Sequence, residues 1–259
     1  MESLLVCIDG ALVGAGEAMI AVTDEGLIRG DGVFEVIRLY GRRPYALDAH
    51  LARLERSAAG LRLPVDIAAV RADIEALLAA TGAEDDLVRT LVTRGGRRIT
   101  LIEPMPPVPS TLALAPITYA PTHVLDGIKS LSYAANMLAS RLAREQGADE
   151  ALLVSPHGRV LECPTSTFFL VRDGEVGTAP LSDRVLDSIT RRVVLAVVDV
   201  REDPIAADSL AGAQEAFIAS SPYEVVGVHR VGAHAYAAPG PRTREIAALV
   251  HERILSELP

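Results

Sequence analysis

The amino-acid sequence predicts an α+β fold organised in two domains. Its 259 residues are 49% hydrophobic, with a mean hydropathy of +0.27, which is enough to build one large core or two compact ones. The first half shows strands, then two helices, then strands again, the order of elements in an α+β domain. The segment 120–127 carries Pro121 and few core-type residues, as linkers do. We therefore predict a domain at 1–119, a linker at 120–127 and a second domain at 128–259.

Hydrophobic periodicity locates the elements of the first domain. Asp48 is in position to cap a helix that ends near Gly60, and a second helix at 65–80 has apolar residues at helical spacing. Glycines separate short runs that are rich in β-branched and apolar residues, the pattern of antiparallel strands. The predicted strands cover residues 3–8, 17–22, 33–40, 87–93 and 111–119.

Lys129 is the only lysine of the chain, whereas the other 24 of its 25 basic residues are arginines. Arginine serves wherever a solvated cation is enough, so a single retained lysine indicates chemistry that arginine cannot perform. A guanidinium stays protonated, whereas an ε-amine can lose its proton and attack a carbonyl carbon to form a Schiff base. The alternative is a surface lysine that has survived by chance.

A helix and two β-hairpins follow Lys129. The helix is predicted at 134–145, with Met137, Leu138 and Leu142 on one face. The first hairpin delivers Glu162 to the end of a strand, and the second turns at Asp173-Gly174, a strong two-residue turn signal. The four hairpin strands are predicted at 150–154, 158–161, 168–171 and 175–178.

Another helix is predicted to begin at Ile189, and a last one covers 243–258. Ser188 or Asp187 can cap the helix at Ile189. The backbone N–H groups beside Ile189 and Thr190 then form a site suited to a phosphate group.

One amine, one carboxylate and one helix N-terminus are the three groups that pyridoxal 5'-phosphate requires. The amine of Lys129 binds the aldehyde, the carboxylate of Glu162 keeps the pyridine nitrogen protonated, and the helix start at Ile189 takes the phosphate. The three groups together predict a cofactor site for pyridoxal 5'-phosphate.

With these groups in this order along the chain, the sequence resembles the class IV aminotransferases of fold type IV. This family comprises branched-chain aminotransferases, D-amino acid transaminases and aminodeoxychorismate lyases. The resemblance covers residues 8–226. It implies a small α/β N-terminal domain, a larger β-barrel-like C-terminal domain with helices, and a homodimer. The matching positions are residues 29–35, 50–54, 129–133, 147–151 and 189–191, together with Glu162.

The resemblance implies a role for individual residues. Lys129 is the catalytic Schiff-base lysine, Arg53 binds the cofactor phosphate, and Glu162 pairs with the pyridine nitrogen. Tyr133 either reaches the O3' oxygen of the cofactor or caps the core. The other implied cofactor contacts are Leu186, Ile189, Thr190 and Ser221.

Two positions depart from the family pattern. The family has an asparagine five residues after the glutamate and a glycine before the Ile-Thr pair, where this chain has Thr167 and Ser188. Neither change removes a group that binds the cofactor. Glu35 is interpreted either as a residue near the site or as a member of an ion pair, and His50 as a structural residue.

Arginines are expected to bind the carboxylate of the substrate. The run 93–98 resembles the D-amino acid transaminase and lyase branches, and Phe34 lies in a segment that resembles a wall of the substrate pocket. Arg97 or Arg98, helped by Arg29, is expected to make a bidentate contact with the carboxylate. We therefore expect transamination between amino acids and 2-oxo acids, with a lean towards D-amino acids.

Three alternatives stay open. The segment 129–133 also resembles 4-amino-4-deoxychorismate lyases, and a branched-chain L-aminotransferase or an (R)-amine transaminase belongs to the same fold type. A non-catalytic binding protein is the third alternative. The retention of Lys129, Glu162, Arg53 and Thr190 together argues against it.

Charge and composition exclude several other classes. A net charge of −9, a pI near 5.2 and the absence of tryptophan disfavour binding to nucleic acid. No apolar run reaches the ~18 residues of a membrane span, and we expect a cytoplasmic protein. Cys7 and Cys163 have no spacing typical of a zinc site or a disulfide framework, so we expect both to be buried as small hydrophobic residues.

Overall fold

The computed structural model describes residues 5–258, and the chain divides into two compact units. The first unit comprises residues 1–106, 128–133 and 257–259, and the second comprises 107–127 and 134–256. Each unit combines helices with a sheet, which confirms the α+β class.

A six-stranded sheet and three helices form the first unit. Its strands lie in the order β2-β1-β6-β5-β3-β4. The strands are β1 (Leu5–Ile8), β2 (Ala11–Gly14), β3 (Gly32–Tyr40), β4 (Arg43–Pro44), β5 (Leu87–Thr93) and β6 (Arg98–Glu103), and the helices are α1 (Glu25–Arg29), α2 (Leu47–Gly60) and α3 (Ile67–Thr81).

Strand β3 separates two environments because its side chains alternate between the two faces of the sheet. Val33, Ile37 and Leu39 are fully buried in the core beneath α2 and α3. Phe34 and Val36, at the alternate positions, therefore face the other side of the sheet.

Some expectations for the first unit are wrong. Residues 17–22 are irregular rather than a strand, and Asp48 lies inside α2, paired with Arg71, while Ala46 occupies the cap position. Pattern reasoning also missed α1 and β6. Residues 3 and 4 of the first predicted strand lie outside the described residues.

The second unit is built on a ten-stranded sheet. Nine strands follow the order β12-β11-β10-β14-β15-β7-β8-β9-β13, and β16 pairs with β15. The strands are β7 (Thr111–Thr118), β8 (Glu150–Val154), β9 (Arg159–Val160), β10 (Thr167–Arg172), β11 (Glu175–Thr178), β12 (Val200–Glu202), β13 (Ile205–Ala206), β14 (Glu215–Ser220), β15 (Glu224–Val231) and β16 (His234–Ala235), and the helices are α4 (Ala134–Glu145), α5 (Ile189–Val197) and α6 (Pro241–Ser256).

The two ends of this sheet are joined by the chain itself. Strands β12 and β13 stand at opposite ends of the strand order, yet only Asp203 and Pro204 separate them in sequence. Two residues span roughly 10 Å at most between strand ends, so the sheet must curl until its edges approach. This curvature agrees with the expected barrel-like domain.

Local signals located several elements of the second unit correctly. Strands β10 and β11 pair across Asp173 and Gly174, which have φ angles of 51° and 82°. Positive φ at both positions is what a tight hairpin turn requires. Helix α4 begins and ends where predicted, but it buries Ala139, Ser140 and Ala143, while Leu138 is 50% exposed.

The unit boundaries differ from the predicted domain boundaries. Strand β7 pairs in parallel with both β8 and β15 and so belongs to the second unit, not to a domain ending at residue 119. The segment 120–127 also belongs to the second unit. Residues 128–133 belong to the first unit because Ser130 pairs with Val33.

The described residues contain no candidate membrane span, and both cysteines of the chain are free. Within residues 5–258, no helix is long and apolar enough to cross a membrane, and the cytoplasmic location stays a prediction. Cys7 and Cys163 are both buried and free, as expected. Burial raises the pKa of the Cys163 thiol well above its ordinary value.

Candidate active site

The backbone of Lys129 is fixed on both sides within the first unit. Its N–H donates to the hydroxyl of Ser57 at 3.1 Å, and its carbonyl accepts from the N–H of Phe34 at 3.2 Å. The next contact along, from Leu131 N–H to the Gly32 carbonyl, is 2.8 Å. Residues 129–131 thus run along the start of β3 as a short extra strand.

Gly32 allows this close approach. A Cβ atom at this position would lie 2.5 Å from the Val92 carbonyl oxygen and 2.6 Å from a Leu131 methyl group. Both separations are shorter than van der Waals contact, so a side chain would push the lysine segment away from the sheet.

The amine of Lys129 lies over an aromatic ring. Nζ is 4.4 Å from the centre of the Phe34 ring. Tyr133, four residues after the lysine, contacts the same ring, with centroids 5.4 Å apart and planes at 84°. Lysine, phenylalanine and tyrosine therefore form one cluster.

A buried charge cluster lies on the opposite face of β3. Glu35 Oε1 accepts from Arg53 Nε at 2.7 Å, Oε2 accepts from Arg53 Nη2 at 2.7 Å, and Oε2 also lies 2.8 Å from His50 Nδ1. Glu35 is fully buried, while His50 and Arg53 are 1% and 5% exposed. Glu35 thus belongs to an ion pair, and His50 is structural, as expected.

The pKa shifts in this cluster follow from burial and pairing. Burial alone raises the pKa of the Glu35 carboxyl, but the hydrogen bond from Arg53 and the neighbouring positive charges outweigh it and lower that pKa to about 2. Burial lowers the pKa of His50, and the carboxylate of Glu35 opposes this only in part. Because the ionised carboxylate of Glu35 can only accept, Nδ1 of His50 carries the proton of this hydrogen bond.

The three arginines proposed for the substrate are dispersed. Arg29 lies on α1 with 72% of its side chain exposed, 3.9 Å from Glu25. Arg97 pairs with Asp9. Arg98 lies opposite Val92, on the helix-covered face of the sheet, and binds Asp73 at 2.8 Å.

Arg98 therefore faces away from the side of the sheet on which Phe34 lies. Side chains at neighbouring positions of a strand point to opposite faces, so a shift of one position along β6 changes the face on which an arginine lies. The structure gives no support to Arg98 as the carboxylate ligand.

Pattern reasoning missed another cation beside Phe34. Arg89 lies on β5 opposite Val36, with Cζ 5.5 Å from the centre of the Phe34 ring, and its Nε binds Glu103 at 2.7 Å. The alternation of side chains along β5 was the signal that could have revealed Arg89. Arg89 pairs with Val36, which lies on the same face of the sheet as Phe34.

Glu162 is oriented by backbone within the second unit. The N–H of Leu186 lies 3.2 Å from each of its carboxylate oxygens. Tyr119, another residue that pattern reasoning missed, lies near it. Burial, and then the charge of Glu162, raise the pKa of the Tyr119 hydroxyl.

The start of α5 has the expected geometry. Ser188 is the cap, since its hydroxyl accepts from the N–H of Arg191, whereas Asp187 pairs with Arg192. Ile189 and Thr190 are each 4% exposed. A helix start of this kind concentrates backbone N–H donors and partial positive charge.

Three buried hydroxyl groups lie at or just before the ends of two neighbouring strands, β10 and β14, in this unit. Ser166, Thr167 and Ser220 are 7%, 2% and 5% exposed, and within the described residues their hydroxyl oxygens have no hydrogen-bond partner. Thr167 pairs with Ala219, so the start of β10 and the end of β14 lie side by side. Ser221 follows β14 and is half-buried.

The family of the chain follows from comparison with known proteins. The family model for amino-transferase class IV matches residues 32–231. The chain belongs to the class IV aminotransferases.

Individual relatives and structures place this aminotransferase among several activities. It is 30% identical to the D-alanine aminotransferase of Bacillus licheniformis, covering 97% of this chain and 98% of that one. It is 32% identical to the bifunctional aminodeoxychorismate lyase / D-amino acid transaminase of Mycobacterium tuberculosis, over 67% of this chain and 68% of the other. The crystal structure of the branched-chain aminotransferase from Thermoproteus uzoniensis superposes with a TM-score of 0.92 at 27% identity, covering 98% of this chain and 96% of that one.

Class IV aminotransferases use pyridoxal 5'-phosphate, which confirms the cofactor prediction. The residues present fit that cofactor. Buried hydroxyls without partners are costly unless a ligand completes their hydrogen bonds, and the hydroxyl of Ser220, at the end of β14, can donate to a phosphate oxygen.

The cluster around Glu35 gives a pH prediction. Because its pKa in the folded protein lies below the ordinary 4.5, its contribution to stability is complete above about pH 4.5 and is lost as the pH falls towards 2. Glu35→Gln should lower the free energy of unfolding at pH 7 by about 3–5 kcal/mol, since Arg53 is left buried without its carboxylate. It should also flatten the acid limb of a chemical-denaturation series. The control is Glu55→Gln, an exposed carboxylate on α2; an equal loss in both variants would refute the assignment.

Proposed function

We propose that this aminotransferase moves amino groups between amino acids and 2-oxo acids and that it prefers D-amino acids as donors. The observation that carries the proposal is the placement of the only lysine of the chain, whose amine lies over Phe34 in a segment that resembles a substrate-pocket wall. The resemblance of the run 93–98 to D-amino acid transaminases supports the preference for the D-enantiomer. A printed name of D-alanine aminotransferase on a relative that spans nearly the whole chain supports it further.

Lys129 is proposed to hold the cofactor aldehyde through Nζ. When bound, pyridoxal 5'-phosphate supplies an electron sink for the bond broken at Cα of the substrate. Lys129 Nζ then takes the proton from Cα and delivers it on the other side of the transferred nitrogen. An amine performs both tasks because it can exchange a proton near neutral pH, whereas a guanidinium cannot.

Glu162 is proposed to bind the pyridine nitrogen of the cofactor and to keep it protonated. The N–H of Leu186 supports this role, because a backbone donor fixes the direction of the Glu162 carboxylate. Leu186 thereby contributes to the cofactor site through its backbone.

The phosphate is proposed to bind at the start of α5. The N–H groups of Ile189 and Thr190, the guanidinium of Arg53 and the hydroxyl of Ser221 are the proposed partners. The buried hydroxyl of Ser220 is an additional donor. Tyr133 is proposed to reach the O3' oxygen.

Lyase action on 4-amino-4-deoxychorismate is the second candidate. Two observations favour it: the resemblance of 129–133 to lyases, and the 32% identity to a relative named for both activities. A half-reaction screen of D- and L-amino acids, with that lyase substrate alongside, separates the candidates. Faster loss of the cofactor's near-visible band with L-leucine than with D-alanine would contradict the D-preference.

Lys129 should carry the cofactor covalently. Borohydride reduction of the loaded enzyme should leave the pyridoxyl group on Lys129 alone, because the N-terminus is the only other primary amine of the chain. Peptide mapping by mass spectrometry checks this. Lys129→Arg should keep the positive charge and lose transamination; wild-type rate in that variant would refute the role.

Glu162→Gln should retain bound cofactor and lose kcat by orders of magnitude, since an amide cannot stabilise a pyridinium charge. Stopped-flow half-reactions and the cofactor absorbance measure the two effects separately. Glu175→Gln, at an exposed carboxylate paired with Arg201, is the control. An unimpaired Glu162→Gln enzyme contradicts the assignment.

Arg29 or Arg97 is proposed to bind the substrate α-carboxylate. Alanine at the arginine that binds the carboxylate should lower kcat/KM by roughly 30-fold to 150-fold. This factor corresponds to the loss of about 2–3 kcal/mol from one charge-assisted contact. Arg98→Ala should instead lower stability, because Asp73 is 3% exposed and loses its partner. Kinetics and thermal unfolding of the three variants separate these effects, and a kcat/KM loss confined to Arg98→Ala would overturn the proposal.

A homodimer is proposed for the assembly. Met19, Val22, Leu27 and Ile28 are 76%, 81%, 57% and 57% exposed on one stretch of chain, an apolar surface that a second copy would cover. Light scattering should give twice the mass of the 27.4 kDa chain. Leu27→Ser with Ile28→Ser should yield monomers, whereas Val124→Ser should not; a monomeric wild type refutes the proposal.

A further inference from the structure

The contact between Lys129 and Phe34 has the geometry of a cation–π interaction. Nζ lies 4.4 Å from the ring centre, inside the range of about 6 Å in which an ammonium is attracted to an aromatic face. Phe34 is only 6% exposed and Lys129 is half-buried, so this contact is partly shielded from water. The attraction is stronger in such surroundings than at an open surface.

The lysine can reach the ring in only a narrow set of conformations because its backbone is held. Ser57, which is fully buried, accepts the Lys129 N–H, and Phe34 N–H donates to the Lys129 carbonyl. Phe34 therefore binds the lysine through its backbone and through its ring. Movement of the amine is left to rotation about the side-chain bonds.

The ring itself is also fixed. Tyr133 packs against it at a nearly perpendicular angle, and the guanidinium of Arg89 lies 5.5 Å from its centre. A perpendicular aromatic pair restrains both rings without covering them completely. The face of Phe34 thus keeps one orientation relative to the lysine backbone.

We propose that the face of the Phe34 ring is the seat of the Lys129 amine whenever that amine is not bonded to the cofactor. This inference rests on the proposed role of Lys129. Once the amino nitrogen of the substrate is held by the cofactor, Lys129 Nζ would no longer be bonded to it. The released amine takes up the Cα proton, and the ring holds the resulting ammonium until the proton is passed on.

Ser57 is the positioning residue for this seat. Its hydroxyl accepts the Lys129 N–H and so fixes the point from which the side chain extends towards the ring. Arg53 lies one helical turn earlier on α2 and binds Glu35, which anchors the helix that carries Ser57. The seat and the buried charge cluster are thus linked through α2 and β3.

The single lysine makes a direct test possible. Protein grown with lysine labelled with ¹³C and ¹⁵N gives one lysine spin system, so every lysine signal belongs to Lys129. In the cofactor-free full chain, and again in the form loaded with pyridoxamine 5'-phosphate, the Hε protons should shift upfield and show nuclear Overhauser contacts to a phenylalanine ring. Lysine signals at solvated positions, without ring contacts in either form, would overturn the proposal.

Matched variants extend the test. Phe34→Leu should abolish the upfield shift, and Phe34→Tyr, which keeps the aromatic face, should retain it. Ser57→Ala should broaden or move the Lys129 amide and side-chain signals, whereas Ser140→Ala, a buried helical serine bonded to its own helix, should leave them unchanged. An upfield shift that persists in Phe34→Leu contradicts the seat.

Failure of this inference is distinguishable from failure of the proposed function. If the chain bound no pyridoxal 5'-phosphate, the proposed function would fall while the lysine signals of the cofactor-free chain still reported the ring contact. If the enzyme transaminates and its lysine signals are those of a solvated side chain, only the seat is lost.

Discussion

The buried carboxylate of Glu35 is the interaction on which the arrangement of the first unit depends. It receives two hydrogen bonds from Arg53 and one from His50, and so ties β3 to α2. Its sequence neighbour Phe34 points to the other face of the sheet, towards the amine of Lys129. A single strand thereby joins the charge cluster on one face to the aromatic contact on the other.

A buried ion pair of this kind fixes register more surely than it adds stability. Removing two charges from water costs about as much as their attraction returns, so the net gain is small. Any other register of β3 would place Glu35 on the wrong face and remove from Arg53 the carboxylate that it binds. The penalty for that alternative is large, and it holds Phe34 opposite the lysine segment.

The second unit obtains its ligand groups from strand ends and one helix start. Glu162 follows β9, the hydroxyls of Ser166 and Thr167 precede or begin β10, and Ser220 ends β14. The pairing of β10 with β14 places the start of β10 beside the end of β14, so Thr167 and Ser220 lie at neighbouring strand ends. Strand interiors supply the rigid core, and the strand ends are left to bear polar side chains.

The sequence by itself determined the family, the single lysine and the elements with local causes. The Asp173-Gly174 turn, the Ser188 cap and the limits of α4 depend on neighbours within a few residues, so composition and spacing reveal them. The remaining features depend on pairing between segments that are far apart in the sequence. The partners of Glu35, the burial of Arg98 against Asp73 and the assignment of β7 to the second unit all join distant segments. The buried face of α4 belongs to the same group: alanine and serine let the helix lie close to the sheet, and the larger Leu138 is left exposed. Periodicity shows that a helix has two faces, but only the shape of the surface beneath it decides which face packs.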